Sequence, residues 1–402
     1  MKILVTADWH IGKKLHNEDL SEDMNLFFDW LLEKIKSESI QYLLVAGDIF
    51  DSSNPSNEAS RIYYSFLRKL SMLQCKAIII AGNHDSPSFI DVPKDLLSAF
   101  EVSVFGVFPG MANVEQIFVP LTDDSGKEVA VVAAIPFLQD RMVRQVGEGE
   151  GAKEIAEKIK QGIKTLFTQI GAAMKEKYPH IPKIAMAHLH AQGTQISEAE
   201  RDIQIGNQEG IASKDLDQFD YLALGHIHTG QTVVKGKIQY ASSPISLGFT
   251  ENTYTHKVVI LEIEHNQIKE SEIKIPKQRS LYQINGTMKD IEGKVRQLKN
   301  KYHLPLFLDI KIEEDQFDPT LTDRLEALRQ HLAVEGKMKI INNRIIYKNK
   351  PATRFSASYS SDDLNDLKPE KVVKDLISGR DQDEQTKLLA LFSAIYADVN
   401  QS

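Results

Sequence analysis

The sequence has a single cysteine, Cys75, among 402 residues. No internal disulfide can form, which excludes the disulfide-stapled secreted scaffolds and agrees with a reducing compartment. Uninterrupted apolar runs long enough for a membrane helix are also missing. Met1-Lys2-Ile3-Leu4 enters an apolar strand pattern directly, with no basic segment ahead of a longer apolar one. These absences predict a soluble, cytoplasmic chain without membrane attachment. Positive charge is short too: 48 Lys and Arg stand against 56 Asp and Glu, a net charge of -8. That balance argues against a protein coated in nucleic acid through an overall basic surface. Much of the acid lies at Glu148, Glu150, Glu313 to Asp315 and Asp362 to Glu384, and carboxylates that bind metals turn local negative charge into a cation site.

What the chain does have is a repeated arrangement of apolar run and chemical turn. Ala77-Ile78-Ile79-Ile80 leads through Ala81 into Gly82-Asn83-His84-Asp85, and Ile3 to Ala7 leads into Asp8-Trp9-His10. Tyr42 to Ala46 runs into Gly47-Asp48, Ile184 to Ala187 into His188-Leu189-His190, and Tyr221 to Leu224 into Gly225-His226-Ile227-His228. A short β-branched run bounded by Gly reads as a strand of a covered sheet, and open α/β sheets place ligands at the carboxyl ends of their strands. Any one of these turns is ordinary. Five that end in metal-binding residue types point to a common site.

The candidate ligands are Asp8, His10, Asp48, Asn83, His188, His226 and His228. Oxygen and imidazole without thiolate favour Mn, Fe, Zn or Mg. The set is too large for one tetrahedral ion and suits two ions sharing a carboxylate, the arrangement of in-line phosphoryl transfer. Asp48, presented from a central strand, fits the shared position best. His84 is the candidate for leaving-group work, with Asp85 as the group that fixes its tautomer. His190 stays open between a place beside His188 and one against solvent. Lys13 and Lys14 stand equally between solvated lysines and phosphate contacts.

Helical spacing predicts helices over 20 to 37, from Ser53-Asn54-Pro55-Ser56-Asn57 through Leu70, and over Ala152 to Lys177 after the Gly147-Glu148-Gly149-Glu150-Gly151 break. Strands are expected over Glu115 to Pro120 and Glu128 to Ile135, then in short runs from Thr232 to Ile263. Ile62, Tyr63, Phe66, Leu67 and Leu70 read first as core and second as a dimer surface together with Pro93 to Phe100. The polar linker Pro276-Lys277-Gln278 predicts a boundary, followed by a small helix-strand-helix-strand module from Leu281 to about Lys350. Leu388, Leu389, Leu391, Phe392, Ile395, Tyr396 and Val399 give the end of the chain an apolar helical face, for core or for a partner.

Taken together, Asp8-x-His10, Gly47-Asp48, Gly82-Asn83-His84-Asp85, His188 and Gly225-His226-x-His228 resemble the calcineurin-like metallophosphoesterase superfamily. Asp8 to Gly12, Val45 to Asp51, Arg201 to Gly206, and Ala223 to His228 with Ser243-Pro244-Ile245 are similar to its double-strand-break repair nuclease subfamily. The resemblance implies a four-layer α/β/β/α sandwich over residues 1-277, a small α/β DNA-capping domain over 278-352, and a C-terminal helical segment over 353-402 that binds a coiled-coil ATPase. It implies one manganese on Asp8, His10, Asp48 and His228, a second on Asp48, Asn83, His188 and His226, and His84 as the catalytic histidine; magnesium is the alternative metal. It further implies a homodimer and 3'-5' exonuclease and endonuclease activity on double-stranded DNA ends and hairpins in repair, recombination and replication, with a cytoplasmic, nucleoid-associated location. Asp51 departs from the pattern, standing where archaeal relatives carry a second functional histidine, and Thr229 stands where many relatives have Arg. Competing readings keep the metals but take a smaller phosphodiester or a phosphoprotein, or make the chain a scaffold without turnover.

Overall fold

The structure is a computed structural model and describes residues 1-144, 150-195, 210-348, 373-374, 377 and 380-399. Most of the Gly147 to Gly151 break, the Arg201 to Gly206 phrase and most of the 353-402 segment lie outside the described residues, as do the side chains of Ile395 and Val399. The chain divides into two compact units, Met1–Ile284 with Leu298–Ile310 and Arg329–Asn342, and Asn285–Gln297 with Lys311–Leu328 and Asn343–Ser402.

The strands, in chain order, are β1 (Lys2–Thr6), β2 (Lys14–Leu15), β3 (Glu18–Asp19), β4 (Tyr42–Ala46), β5 (Lys76–Ile80), β6 (Val102–Phe105), β7 (Phe118–Thr122), β8 (Glu128–Ile135), β9 (Lys183–His188), β10 (Tyr221–Gly225), β11 (Thr232–Val234), β12 (Ile238–Tyr240), β13 (Lys257–Glu264) and β14 (Gln267–Lys274). Two six-stranded sheets result, ordered β14-β13-β1-β4-β5-β6 and β11-β12-β10-β9-β8-β7. The middle of each is parallel, β1 with β4 and β5 in one and β8 with β9 and β10 in the other. Parallel strands covered on both faces read as continuous apolar runs, and β4 is buried at every residue.

Three apolar cores separate the layers. Ile3, Val5, Leu44, Ile78 and Ile80 meet Val132, Ala134, Ile184, Met186 and Ala223 between the sheets. Helices α1 (Ser21–Ser37) and α2 (Asn57–Met72) cover the first sheet through Phe27, Phe28, Leu31, Ile62, Phe66 and Leu70. Ser56 caps α2 by accepting the Ala59 N–H, and Tyr63 and Leu67 are buried with the rest of that face, so it belongs to the core. Two short helices follow β5, α3 (Pro87–Asp91) and α4 (Lys94–Ser98). After the single turn α5 (Asp140–Val143), the long α6 (Ala152–Lys177) covers the second sheet with Ile159, Ile163, Phe167, Ile170 and Met174. The order helix, sheet, sheet, helix is the four-layer sandwich expected.

Several elements differ from the sequence reading. Met111–Ile117 forms a 3-10 helix, so the strand expected from Glu115 begins only at Phe118. Strands β6 and β14 have no counterpart in that reading, nor does β15 (Leu281–Gly286), which opens the small module and pairs in a three-stranded sheet with β16 (Leu306–Glu314) and β17 (Met338–Tyr347) in that order. The module's helices are α7 (Met288–Gln297) and α8 (Leu321–Glu335), and the last helix is α9 (Gln382–Val399). Among the described residues no helix is long and apolar enough to cross a membrane.

Candidate metal centre

All seven candidate ligands and His84 emerge at the carboxyl ends of β1, β4, β5, β9 and β10, so the two sheets contribute to one site. The β1 and β4 loops are stitched together, Asp8 N–H to Gly47 O at 3.0 Å and His10 N–H to Asp48 O at 3.0 Å. Asp8, His10, Asp48 and His226 all have positive φ, 53°, 46°, 50° and 100°, a conformation that costs a non-glycine residue energy and concentrates at functional sites. Glycine is required beside them. A Cβ on Gly82 would lie 2.1 Å from Asp48 Oδ1, and one on Gly47, itself at φ +88°, would lie 2.3 Å from His188 Nδ1.

Asp48 sits at the middle. Its Oδ2 lies 3.3 Å from His188 Nε2 and 3.5 Å from His10 Nε2, and it belongs to both clusters of convergent ligand atoms, His10-Asp48-His84 and Asp8-Asp48-His188. Asn83 Oδ1 faces His188 Nε2 at 2.9 Å and His226 Nδ1 at 3.0 Å. The His10 ring packs edge to face on His84 and on His228, with centroids 4.7 and 5.0 Å apart. Asp8 accepts the His226 N–H at 2.8 Å.

The histidines are held from behind through Nδ1. His188 Nδ1–H donates to Ala46 O at 2.9 Å, His84 Nδ1–H to Asp51 O at 2.8 Å, and His228 Nδ1–H to Glu251 Oε1 at 2.7 Å. An acceptor at Nδ1 holds a proton on that nitrogen and turns Nε2 toward the centre. His10 Nδ1 lies 3.3 Å from Asp51 Oδ1, which also pairs with Lys13 at 3.1 Å. Lys13 is thereby tied to the edge of the site.

Packing this much charge away from water displaces the titrations. Burial pushes the Asp8 carboxyl up to about 7, against the pull of His188 and His228. Burial also opposes ionisation of Asp48, but the charge and hydrogen bond of His188 hold it well below the usual carboxylate range. His188 rises to about 9, burial opposing and Asp48 prevailing. Burial takes His10 down to about 4 and His226 down to about 3. Asp8 Oδ2, His10 Nε2 and His84 Nε2 are buried without a hydrogen-bond partner, which is costly unless something else satisfies them. An oxygen and imidazole set with unsatisfied buried acceptors and competing carboxylates fits divalent cations.

One sequence expectation changes, and one reading left open is decided. Asp85 does not fix the His84 tautomer: its carboxylate accepts the Ile49, Phe50 and Gly82 N–H groups at 3.1, 2.9 and 2.8 Å, bracing the turns that present Asp48 and Asn83. The Asp51 carbonyl holds His84 instead. His190 is buried rather than turned to solvent. Residues missed from the sequence are Asp51 as a support for His10 and His84, and Glu251 behind His228. Glu251 lies in a polar turn with no motif, and only its complete burial marks it. Its carboxyl is held below the usual range, burial opposing and the His228 hydrogen bond prevailing.

Residues 1–230 match the family model described as calcineurin-like phosphoesterase, and residues 277–380 match the model described as type 5 capsule protein repressor C-terminal domain. The chain is 28% identical to the D subunit of nuclease SbcCD from Escherichia coli (strain K12) over 402 residues, 98% of this chain and 97% of that protein. It is 34% identical to the D subunit of nuclease SbcCD from Rhodobacter capsulatus over 276 residues, 65% of this chain and 66% of that protein.

Proposed function

The chain belongs to the calcineurin-like phosphoesterase family, and on that premise we propose that it is a manganese-dependent DNA nuclease subunit, a 3'-5' exonuclease and endonuclease acting on double-stranded ends and hairpins. One observation carries the reading: end-to-end similarity to a protein named as a nuclease subunit, in a chain whose strand ends converge on Asp48. In this reading Asp8, His10, Asp48 and His228 hold one cation, and Asp48, Asn83, His188 and His226 hold the other. The cations supply Lewis acidity, offsetting the charge of the phosphodiester and acidifying the attacking water.

The chain's own residues do the rest. Asp48 spaces the two positions, and the Nδ1 hydrogen bonds aim His188 and His228. His84 Nδ1–H is committed to Asp51 O, so its Nε2 carries a proton only as imidazolium and gives that proton to the leaving oxygen. The module over 278-352 caps DNA, and the 353-402 segment docks a coiled-coil ATPase, in keeping with the complex for which the relatives are named. Exposed Val92 and Leu96, beside half-exposed Tyr64 and Phe100, support a homodimer surface next to α2 to α4. The setting is cytoplasmic and nucleoid-associated.

The test is cleavage of an end-labelled linear duplex and of a hairpin with manganese, magnesium or EDTA, for the wild type and His84→Ala. Expected is manganese-dependent cleavage that falls roughly 10²- to 10⁴-fold in the variant while both ions stay bound. Loss of an ion from His84→Ala overturns its role. Hydrolysis of a small phosphodiester without DNA cleavage, even after the ATPase is added, overturns the nuclease reading.

A further inference from the structure

The 3-10 turn Phe249–Thr253 gives two neighbouring side chains different anchors. Glu251 is fully buried; Oε1 accepts His228 Nδ1–H at 2.7 Å and Oε2 accepts the Leu247 N–H at 2.8 Å. Asn252 reaches the other way. Its Oδ1 accepts the Leu281 N–H at 2.8 Å, the Ser280 hydroxyl at 3.2 Å and the Lys277 ammonium at 2.7 Å, and its carbonyl accepts a second bond from Lys277 at 2.5 Å. Phe249 joins the same connection by packing against the cluster of Leu20, Leu281 and Phe307. A single peptide bond therefore separates the support of His228 from a clamp on the segment that enters β15.

We propose that Glu251 is a positioning residue for His228, and that Asn252 ties that support to residues 277–281, so that displacement of the segment changes how His228 is presented. The proposal rests on the reading of His228 as a metal ligand. A carboxylate at Nδ1 forces the proton onto that nitrogen and orients Nε2 toward the centre, and outer partners of this kind are worth roughly 10- to 100-fold in metal affinity. The Leu247 N–H alone would be satisfied by a neutral acceptor, whereas the imidazole gains both orientation and basicity from a charged one. Asn252 acts through geometry: with four hydrogen bonds on its side-chain and backbone oxygens, it sets where the turn sits, and a turn free to slide lengthens the Glu251 to His228 bond.

The experiment uses the full chain and its variants His228→Ala, Glu251→Gln, Glu251→Ala and Asn252→Ala. Manganese binding is read by isothermal titration, and the His228 tautomer is read in the metal-free protein by long-range NMR of ¹⁵N-labelled histidine. His228→Ala should lose one ion; retention of both overturns the metal reading itself. Glu251→Ala should weaken one ion by roughly 10- to 100-fold and mix the His228 tautomers. Glu251→Gln, which keeps an acceptor oxygen without charge, should hold the tautomer and bind with intermediate affinity. Asn252→Ala should weaken the same ion by a smaller factor and leave the other unchanged. If His228→Ala loses an ion while both Glu251 variants bind as the wild type with an unchanged tautomer, the positioning role falls and the metal reading stands. Should Glu251→Ala fail to fold, wild-type affinity in Glu251→Gln is sufficient to overturn the role. Wild-type affinity in Asn252→Ala overturns the coupling.

Discussion

Gly225→Ala tests whether the centre depends on close approach of the two sheets. Gly225 ends β10 opposite Ala46 at the end of β4, and a Cβ there would lie 1.9 Å from the Ala46 carbonyl oxygen and 3.0 Å from His188 Nδ1. Ordinary contact starts near 3.4 Å, so the carbonyl must retreat by about 1.5 Å in an interior that is already close-packed. That same carbonyl accepts the His188 Nδ1–H at 2.9 Å, a bond that cannot survive such a shift. Overpacking costs roughly 1–3 kcal/mol and the stranded polar pair about as much again, so the variant should lose about 2–6 kcal/mol. Urea denaturation followed by tryptophan fluorescence reports the loss, because Trp9 is wedged between Phe28 and Phe66 at centroid distances of 4.9 and 5.3 Å in the first sheet's core and Trp30 packs against that core. Manganese binding should weaken by at least about 10-fold as His188 loses its support. Gly248→Ala is the control: no atom lies within 4 Å of its Cβ and its backbone is extended. A Gly225→Ala protein with wild-type midpoint and wild-type affinity would refute the argument.

Two further outcomes follow from buried ionisable groups outside the candidate ligand set. His256 donates Nδ1–H to Ser243 O at 2.7 Å, and burial takes its pKa from 6.5 down to about 4. A folded-state value below the unfolded one means stability that is present above pH 6.5 and is lost as pH falls through 4, about 3 kcal/mol for a shift of this size; His256→Gln should flatten the acid limb of the stability–pH curve of the metal-free protein, and an unchanged limb refutes it. Arg279 grips Asp23 with three hydrogen bonds of 2.9 to 3.0 Å, donates to Pro305 O and stacks on Phe307 with its guanidinium 3.9 Å from the ring centroid. Asp23→Ala strands that buried cation and should cost roughly 3–5 kcal/mol, more than the paired Asp23→Leu/Arg279→Met replacement; equal denaturation midpoints for the two proteins would show that the ion pair does not act as one unit.

The strand-end motifs were legible because a short parallel strand buried on both faces must be apolar throughout, and its carboxyl end must then carry whatever chemistry the sheet presents. The same rule explains why Asp8, Asp48, Asn83, His188 and His226 could be singled out from residue type and position. Helices α1, α2 and α6 were equally plain, since each repeats its apolar residues at helical spacing over many turns. Four-residue β6 and the Met111–Ile117 turn are too short for any period to separate strand from 3-10 helix.

What supports the candidate ligands was hidden for a different reason. His188 is fixed by the carbonyl of Ala46, and His84 by that of Asp51; a backbone oxygen has no signature in the sequence. Asp85 looked like a partner for His84 because it is adjacent in the chain, yet its three backbone partners lie in two different turns. The positive φ of Asp8, His10 and Asp48 is also invisible, since Asp and His tolerate that region but do not signal it in the sequence. Local preference gives way here because each of these positions needs a side chain that glycine lacks. Conflict between local rule and tertiary demand is expected where function is built. Positive φ also occurs at turn residues such as Ser39, Gln74, Glu101 and Asn266, so what sets Asp8, His10, Asp48 and His226 apart is that their side chains converge, an arrangement that fits a site built for chemistry.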